Sequence, residues 1–317
     1  MDKKYVVGID IGGQSAKIGV IDRNAVISSR DRLDTTVYGL DDSKRFLDDL
    51  CSRIAKIMEE VGLDAVKGIG IGAPNGNYYN GCITDAANLP WAKGRSVEIS
   101  KFISGRFGLD VTLTNDANAA AIGEMTYGNA RGMKNFIEIT LGTGVGSGIV
   151  IDGKVVYGHD GFAGELGHTN VVREGGRSCG CGRTGCLETY ASSGGVCTTA
   201  LEMLESSSED SILRRLSEIS SKDVFDAAVN GDAVAKRVFE FTGRVLGEKF
   251  ADFVMFSAPE SIILFGGVAN AGELLLKPAR EAMDANLINI WKGKIKLLRS
   301  GLPESDAAIL GAGALAW

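Results

Sequence analysis

Short apolar runs bounded by glycine, asparagine or proline alternate along this chain with longer amphipathic stretches, the pattern of an α/β protein. Residues 5–10 predict a buried strand and 16–21 its hairpin partner across Gly12-Gly13, with a third strand over 26–33. From 41 to 61, Phe46, Leu47, Leu50, Ile54 and Ile57 recur at helical spacing and predict an amphipathic helix. A strand over 68–72 runs into the loop Ala73-Pro74-Asn75-Gly76, and Trp91, in a stretch rich in turn residues, is expected to be buried. Residues 96–107 read as a helix, and 111–114 as a strand feeding a helix start at Asn115-Asp116. Residues 135–141 and 145–151 repeat the opening pattern of strand, glycine turn (Gly142-Thr143-Gly144) and strand, which predicts an internal duplication. Further on, 206–210 reads as a polar loop, and 223–256 holds one or two helices. A strand over 261–268 carries a glycine pair, Gly266-Gly267, near its end. A helix over 277–290, a strand over 294–298 and a small-residue helix over 305–315 complete the prediction.

Composition narrows the classes. A length of 317 residues implies about two domains, and 44% apolar with 23% charged residues describes an ordinary globular chain. A net charge of −6 with no basic stripe argues against a nucleic-acid partner. No uncharged stretch is long and apolar enough to span a membrane, and Asp10 breaks the apolar run near the start that a signal peptide would need. A cytoplasmic protein is expected. The outlier is glycine, at 43 residues about twice average usage. Many glycines follow strand-like runs, where phosphate cradles occur.

Three constellations carry candidate chemistry. His168, Cys179, Cys181 and Cys186 fall within nineteen residues, at spacings of ten, one and four intervening residues, with Glu165 and Glu188 on either side. Three thiolates and an imidazole make a full tetrahedral set for structural zinc, and the glycines between them permit the tight folding needed. The turn Asp10-Ile11-Gly12-Gly13-Gln14-Ser15-Ala16-Lys17 can aim backbone N–H groups at an anion, while Asp10 could hold water on Mg2+. A second such turn at Gly142-Thr143-Gly144 makes the pair far more specific than either alone. Asp116, at the carboxyl end of a strand, is placed for a general base; the alternative is a plain N-cap. Cys51, Cys82 and Cys197 have no assignable role.

Together, the glycine-rich turns at 10–17, 140–146 and 264–268, the Asn115-Asp116 pair and the segment from Glu165 to Glu188 resemble the ROK family of sugar kinases and repressors. The most specific part is Cys179-Gly180-Cys181-Gly182-Arg183-Thr184-Gly185-Cys186-Leu187-Glu188. The resemblance covers essentially the whole chain. It implies the actin-like, hexokinase-like ATPase fold, two α/β lobes around a cleft. The expected lobes are 1–117, with 304–317 crossing back to it, and 118–303, which carries the zinc segment 168–186. The implied reaction is ATP-dependent phosphorylation of a hexose, most often glucose at its 6-hydroxyl, with Asp116 as base. Kinases for N-acetylmannosamine, fructose or allose are the alternatives. On this resemblance Asn88, Asn115, Asp116, Glu165, His168 and Glu188 bind the sugar. Asp10, Gly12, Gly13, Gln14, Lys17, Gly142, Thr143, Gly144, Gly266 and Gly267 bind ATP with its Mg2+. Structural Zn2+ sits on His168, Cys179, Cys181 and Cys186, and a homodimer is the expected assembly. The family's repressors carry a helix-turn-helix ahead of the first phosphate loop. Only nine residues precede Asp10, so a kinase is expected rather than a regulator. Two departures stand out: Gln14 where the family has threonine, and Asn75 where a glycine usually follows the proline.

Overall fold

The computed structural model describes residues 3–317, which divide into two compact units. The first comprises residues up to Met133 together with Lys154–Gly164 and Gly301–Trp317; the second comprises Lys134–Gly153 and Glu165–Ser300.

In the first unit, strands β1 (Tyr5–Ile11), β2 (Ser15–Asp22), β3 (Ile27–Asp34), β4 (Val66–Gly72) and β7 (Asp110–Thr114) form one sheet in the order β3-β2-β1-β4-β7. Between β4 and β7 lie the short antiparallel pair β5 (Ile83–Thr84) and β6 (Ser96–Val97). The hairpin β1-β2-β3 is antiparallel, whereas β4 joins β1, and β7 joins β4, in parallel. β1 is apolar on both faces and sits mid-sheet, while edge strand β3 alternates buried and exposed positions because only one of its faces is covered. Helix α1 (Ser43–Glu59) turns Phe46, Leu47, Leu50, Ile54 and Ile57 into the core. Trp91 is fully buried and stacks on Phe46, 3.9 Å between ring centroids. α2 (Ile99–Phe107) is shorter than the helix expected over 96–107, because Ser96 and Val97 pair with β5 instead. α3 (Asp116–Tyr127) follows β7.

In the second unit, β8 (Phe136–Leu141) and β9 (Val145–Ile151) form an antiparallel hairpin, and β11 (Ser261–Phe265) and β12 (Lys296–Arg299) extend it in parallel, in the order β9-β8-β11-β12. This repeats β2-β1-β4-β7, the duplication expected from the two glycine turns. The short strand β10 (Lys154–Val155) follows β9 in the chain. Helices α4 (Glu188–Ala191), α5 (Ser193–Glu205), α6 (Ser221–Val229), α7 (Ala233–Ser257) and α8 (Glu273–Asn286) belong to this unit. α8 begins before the expected 277, accommodating Pro278 in its interior. β11 stops at Phe265, so Gly266-Gly267 lies beyond the strand.

α9 (Ala307–Ala314) belongs to the first unit, as do residues 118–133, which the lobe boundaries expected from sequence assign to the second. Small residues let α9 settle onto the sheet backbone. A Cβ on Gly8 of β1 would collide with the carbonyl of Ile309, and one on Gly70 of β4 with that of Ala312. Among the described residues, no helix is long and apolar enough to cross a membrane.

Candidate active site

Strand register builds the first unit's share of the site. Asp10 lies opposite Gly72 of β4, and Gly72 lies opposite Thr114 of β7. Asp10 and Asp116 therefore occupy the same edge of the sheet, at the carboxyl ends of β1 and β7. Lys17 faces Asp10 across the hairpin. The turn between them is pinned from several sides. The Gly12 N–H donates to the Ser15 carbonyl at 2.9 Å, the Thr35 hydroxyl donates to the Gly12 carbonyl at 2.8 Å, and the Thr35 N–H donates to the Gln14 carbonyl at 3.2 Å. Thr35 is wholly buried and was not foreseen from sequence, since nothing in Asp34-Thr35-Thr36 distinguishes a staple from a loop. Gly13 is required by close approach, because a Cβ there would lie 3.0 Å from the Asn88 carbonyl. That packing also brings the exposed Asn88 beside the turn.

Asn115, not Asp116, caps α3, its Oδ1 accepting the Asn118 N–H at 2.7 Å. Asp116 is the first helical residue, and its Oδ1 accepts the Ala117 N–H at 2.9 Å, leaving Oδ2 as the free acceptor. Solvent reaches the Asp116 side chain, yet the density of protein around the carboxyl desolvates it and raises its pKa above the usual carboxylate range. Asp10 is pushed up to about 6, chiefly by desolvation, then by the like charge of Asp116, with Lys17 opposing both. Asn75 adopts φ +52°, in the region that favours glycine, and its Nδ2 donates to the Thr84 and Asp85 carbonyls at 3.1 and 3.0 Å. The residue thus supplies the backbone conformation a glycine would. Gln14 turns its side chain to solvent.

In the second unit, the Gly142 N–H donates to the Gly144 carbonyl at 3.0 Å, with Thr143 exposed at the tip. Gly266, at φ +102°, packs so closely under Leu141 that a Cβ would lie 2.6 Å from its carbonyl, which sets the two glycine turns against each other. Beside Gly267 opens a cavity of about 300 Å³ lined by Ser221, Lys222, Phe225, Phe239, Val268, Asn270 and Ala271. Its apolar and polar walls suit a planar heterocycle. Ser221, Lys222 and Phe225 come from α6, whose sequence signals only an amphipathic helix, so they were not foreseen.

His168, Cys179, Cys181 and Cys186 converge, with one donor atom from each lying within 4.8 Å of every other. His168 Nδ1 lies 3.6 Å from Cys179 Sγ, and Cys181 Sγ lies 3.7 Å from Cys186 Sγ. Tetrahedral zinc with bonds of ~2.3 Å to sulfur and ~2.05 Å to nitrogen requires edges of ~3.8 and ~3.6 Å, so the donor set fits the ion. His168 Nε2 points the other way, 4.0 Å from Glu165 Oε2. Tight turns assemble the set: the Cys179 N–H donates to the Arg183 carbonyl, and Gly182 (φ +85°) and Gly185 (φ +74°) take left-handed conformations. Glu188, at the start of α4, accepts the Val145 N–H at 3.0 Å through Oε2.

The candidate residues thus fall into one group per unit. Asp10, Gly12, Gly13, Gln14, Lys17, Asn88, Asn115 and Asp116 lie in the first; both later glycine turns, Glu165, Glu188 and the four-donor cluster lie in the second. The ROK family profile matches residues 6–317. The chain belongs to the ROK family. Among ROK relatives, it is 34% identical to a glucokinase of Halalkalibacterium halodurans, over 99% of this chain and 95% of that protein. It is similar to the crystal structure of a ROK glucokinase from Streptomyces griseus in complex with glucose and AMPPNP (34% identity, TM-score 0.79, 98% of each chain). It is also similar to a ROK transcriptional regulator, a homologue of the E. coli MLC protein (27% identity, TM-score 0.86), covering 98% of this chain and 77% of that one. The two hairpin-led sheets are those of the hexokinase-like, actin-like ATPase fold.

Proposed function

We propose that this protein is an ATP-dependent glucokinase that phosphorylates glucose at its 6-hydroxyl. The observation that carries the reading is the Asp116 carboxylate, with one oxygen held by the Ala117 N–H and the other free, at the sheet edge it shares with Asp10 and the Gly12-Gly13 turn. The full-length similarity to the Halalkalibacterium halodurans glucokinase and the Streptomyces griseus glucose complex supports glucose as the sugar.

The chemistry follows from these residues. Asn88, Asn115, Glu165, His168 and Glu188 orient the sugar by its hydroxyls. Asp116 Oδ2 takes the proton of the attacking hydroxyl as its oxygen bonds to the γ-phosphorus; the bond from that phosphorus to the β–γ bridging oxygen breaks, giving sugar phosphate and ADP. A raised pKa makes Asp116 a stronger base than an ordinary aspartate once it is ionised. The glycine turns offer N–H groups to the phosphates, and the cavity beside Gly267 takes the adenine. Asp10 would hold the nucleotide's Mg2+, which neutralises phosphate charge. The four-donor cluster would hold zinc as a structural cross-link with no open position.

A coupled ADP-release assay across glucose, N-acetylmannosamine, fructose and allose tests the reading. Glucose should give the highest kcat/KM. Higher kcat/KM on another sugar would replace the substrate, and ADP release with none of them would reject the kinase.

A further inference from the structure

The cluster segment grips Val145, the residue that follows the Gly142–Gly144 turn, on both sides. Glu188 Oε2 accepts the Val145 N–H at 3.0 Å. On the other side, Gly167, next to the cluster's histidine, packs so tightly on the Val145 carbonyl that a Cβ there would collide with it. At the turn's opposite end the Ser193 N–H donates to the Gly142 carbonyl at 2.8 Å. Gly144 has no unusual φ to explain it. Its missing side chain leaves room for the carboxylate, since a Cβ would sit 2.5 Å from Glu188 Oε2. Glu188 is itself fixed two residues beyond Cys186, and its Oε1 lies 3.8 Å from Cys179 Sγ.

We propose that Glu188 is a positioning residue for the phosphate turn: its carboxylate holds the Val145 N–H and thereby keeps Gly142–Gly144 shaped for nucleotide. This rests on the reading of that turn as a nucleotide site. A glycine turn has many conformations, and whatever order is not built in beforehand must be imposed by the ligand at the expense of affinity. Glu188 couples the cluster to ATP as well as to the sugar. The hydrogen bond matters here and the charge does not, because a carboxylate near a polyphosphate repels it.

The test is titration calorimetry of Mg-AMPPNP into wild type, Glu188→Ala and Glu188→Gln, with no sugar present, so that direct contact between Glu188 and sugar plays no part. Metal content is measured on the same samples. Glu188→Ala should weaken nucleotide binding about tenfold, the size of one lost hydrogen bond, with metal content unchanged. Glu188→Gln, whose amide oxygen can still accept the Val145 N–H, should stay within about threefold of wild type. A wild type that binds no nucleotide would reject the reading of the turn itself. Equal affinity in all three proteins would leave that reading standing and overturn the positioning role. So would a glutamine variant as weak as the alanine one, or loss of metal together with affinity.

Discussion

A carboxylate in the first turn of a helix is commonly a cap, but Asn115 takes that task from Asp116 by accepting the Asn118 N–H itself. Asp116 is left with one oxygen bound locally and one free, in a desolvated setting. Asp116→Asn should lower kcat by about 10²- to 10⁴-fold while the sugar KM stays within a few-fold, since the amide still hydrogen-bonds but cannot take the proton. Steady-state kinetics in both substrates checks it. Asp10 makes a second expectation. Protonated below about pH 6, it cannot hold a cation, so MgATP affinity should fall as pH drops through that value. Part of the elevation comes from Asp116, so Asp116→Asn should move the midpoint of MgATP affinity against pH downward; calorimetry across pH 5 to 8 reads it. Stability runs the other way: Asp10 binds its proton more tightly folded than unfolded. Its contribution is therefore full below the unfolded value of 3.8 and is lost as pH rises to about 6.

At the scale of elements, sequence legibility tracked the strength of local signal. The stripe of α1, the buried strands and the glycine turns were readable because pattern and composition agree there. The helices α4 and α5 were not, because Ser192-Ser193-Gly194-Gly195 suppresses any helical expectation. Tertiary packing decides it: a Cβ on Gly195 would lie 2.6 Å from the Tyr190 carbonyl carbon, so the glycine permits a close helix–helix turn. The donors of the cluster were legible from spacing. Thr35 and the α6 wall of the cavity were not, since their roles exist only through contacts distant in sequence. Helix pair α7–α8 shows the same dependence, with Gly243 accepting the ring of Pro278 and Gly247 the backbone of Ala279. Gly247→Ala should destabilise by about 1–3 kcal/mol through overpacking, measured by chemical denaturation. Cys181 is exposed, so Cys181→Ser tests the cluster with little disturbance of packing. The variant should lose about one zinc per chain by elemental analysis and melt several degrees lower.

At the scale of the molecule, the units are discontinuous in sequence, and only the second is complete without α9. Deleting residues 301–317 should leave the second unit folded with its four-donor cluster assembled and the first unit open to protease. Limited proteolysis with mass spectrometry reads which fragments survive. The glycines at positions 8, 70 and 123 are where this dependence is written: a Cβ at each would clash with the α9 backbone.

That arrangement sets an order of assembly. On a ribosome, β1, β4 and α3 are all made well before the helix that seals them, β1 at Tyr5–Ile11 and α9 only at Ala307–Ala314, so the second unit has all its parts while the first still waits with a glycine-lined face uncovered. On this chain order the usual N-terminal-first sequence of domain folding should be reversed. A chain broken off before residue 307 would therefore carry a finished second unit attached to an unsealed sheet, a form suited to capture by a chaperone and prone to aggregate without one.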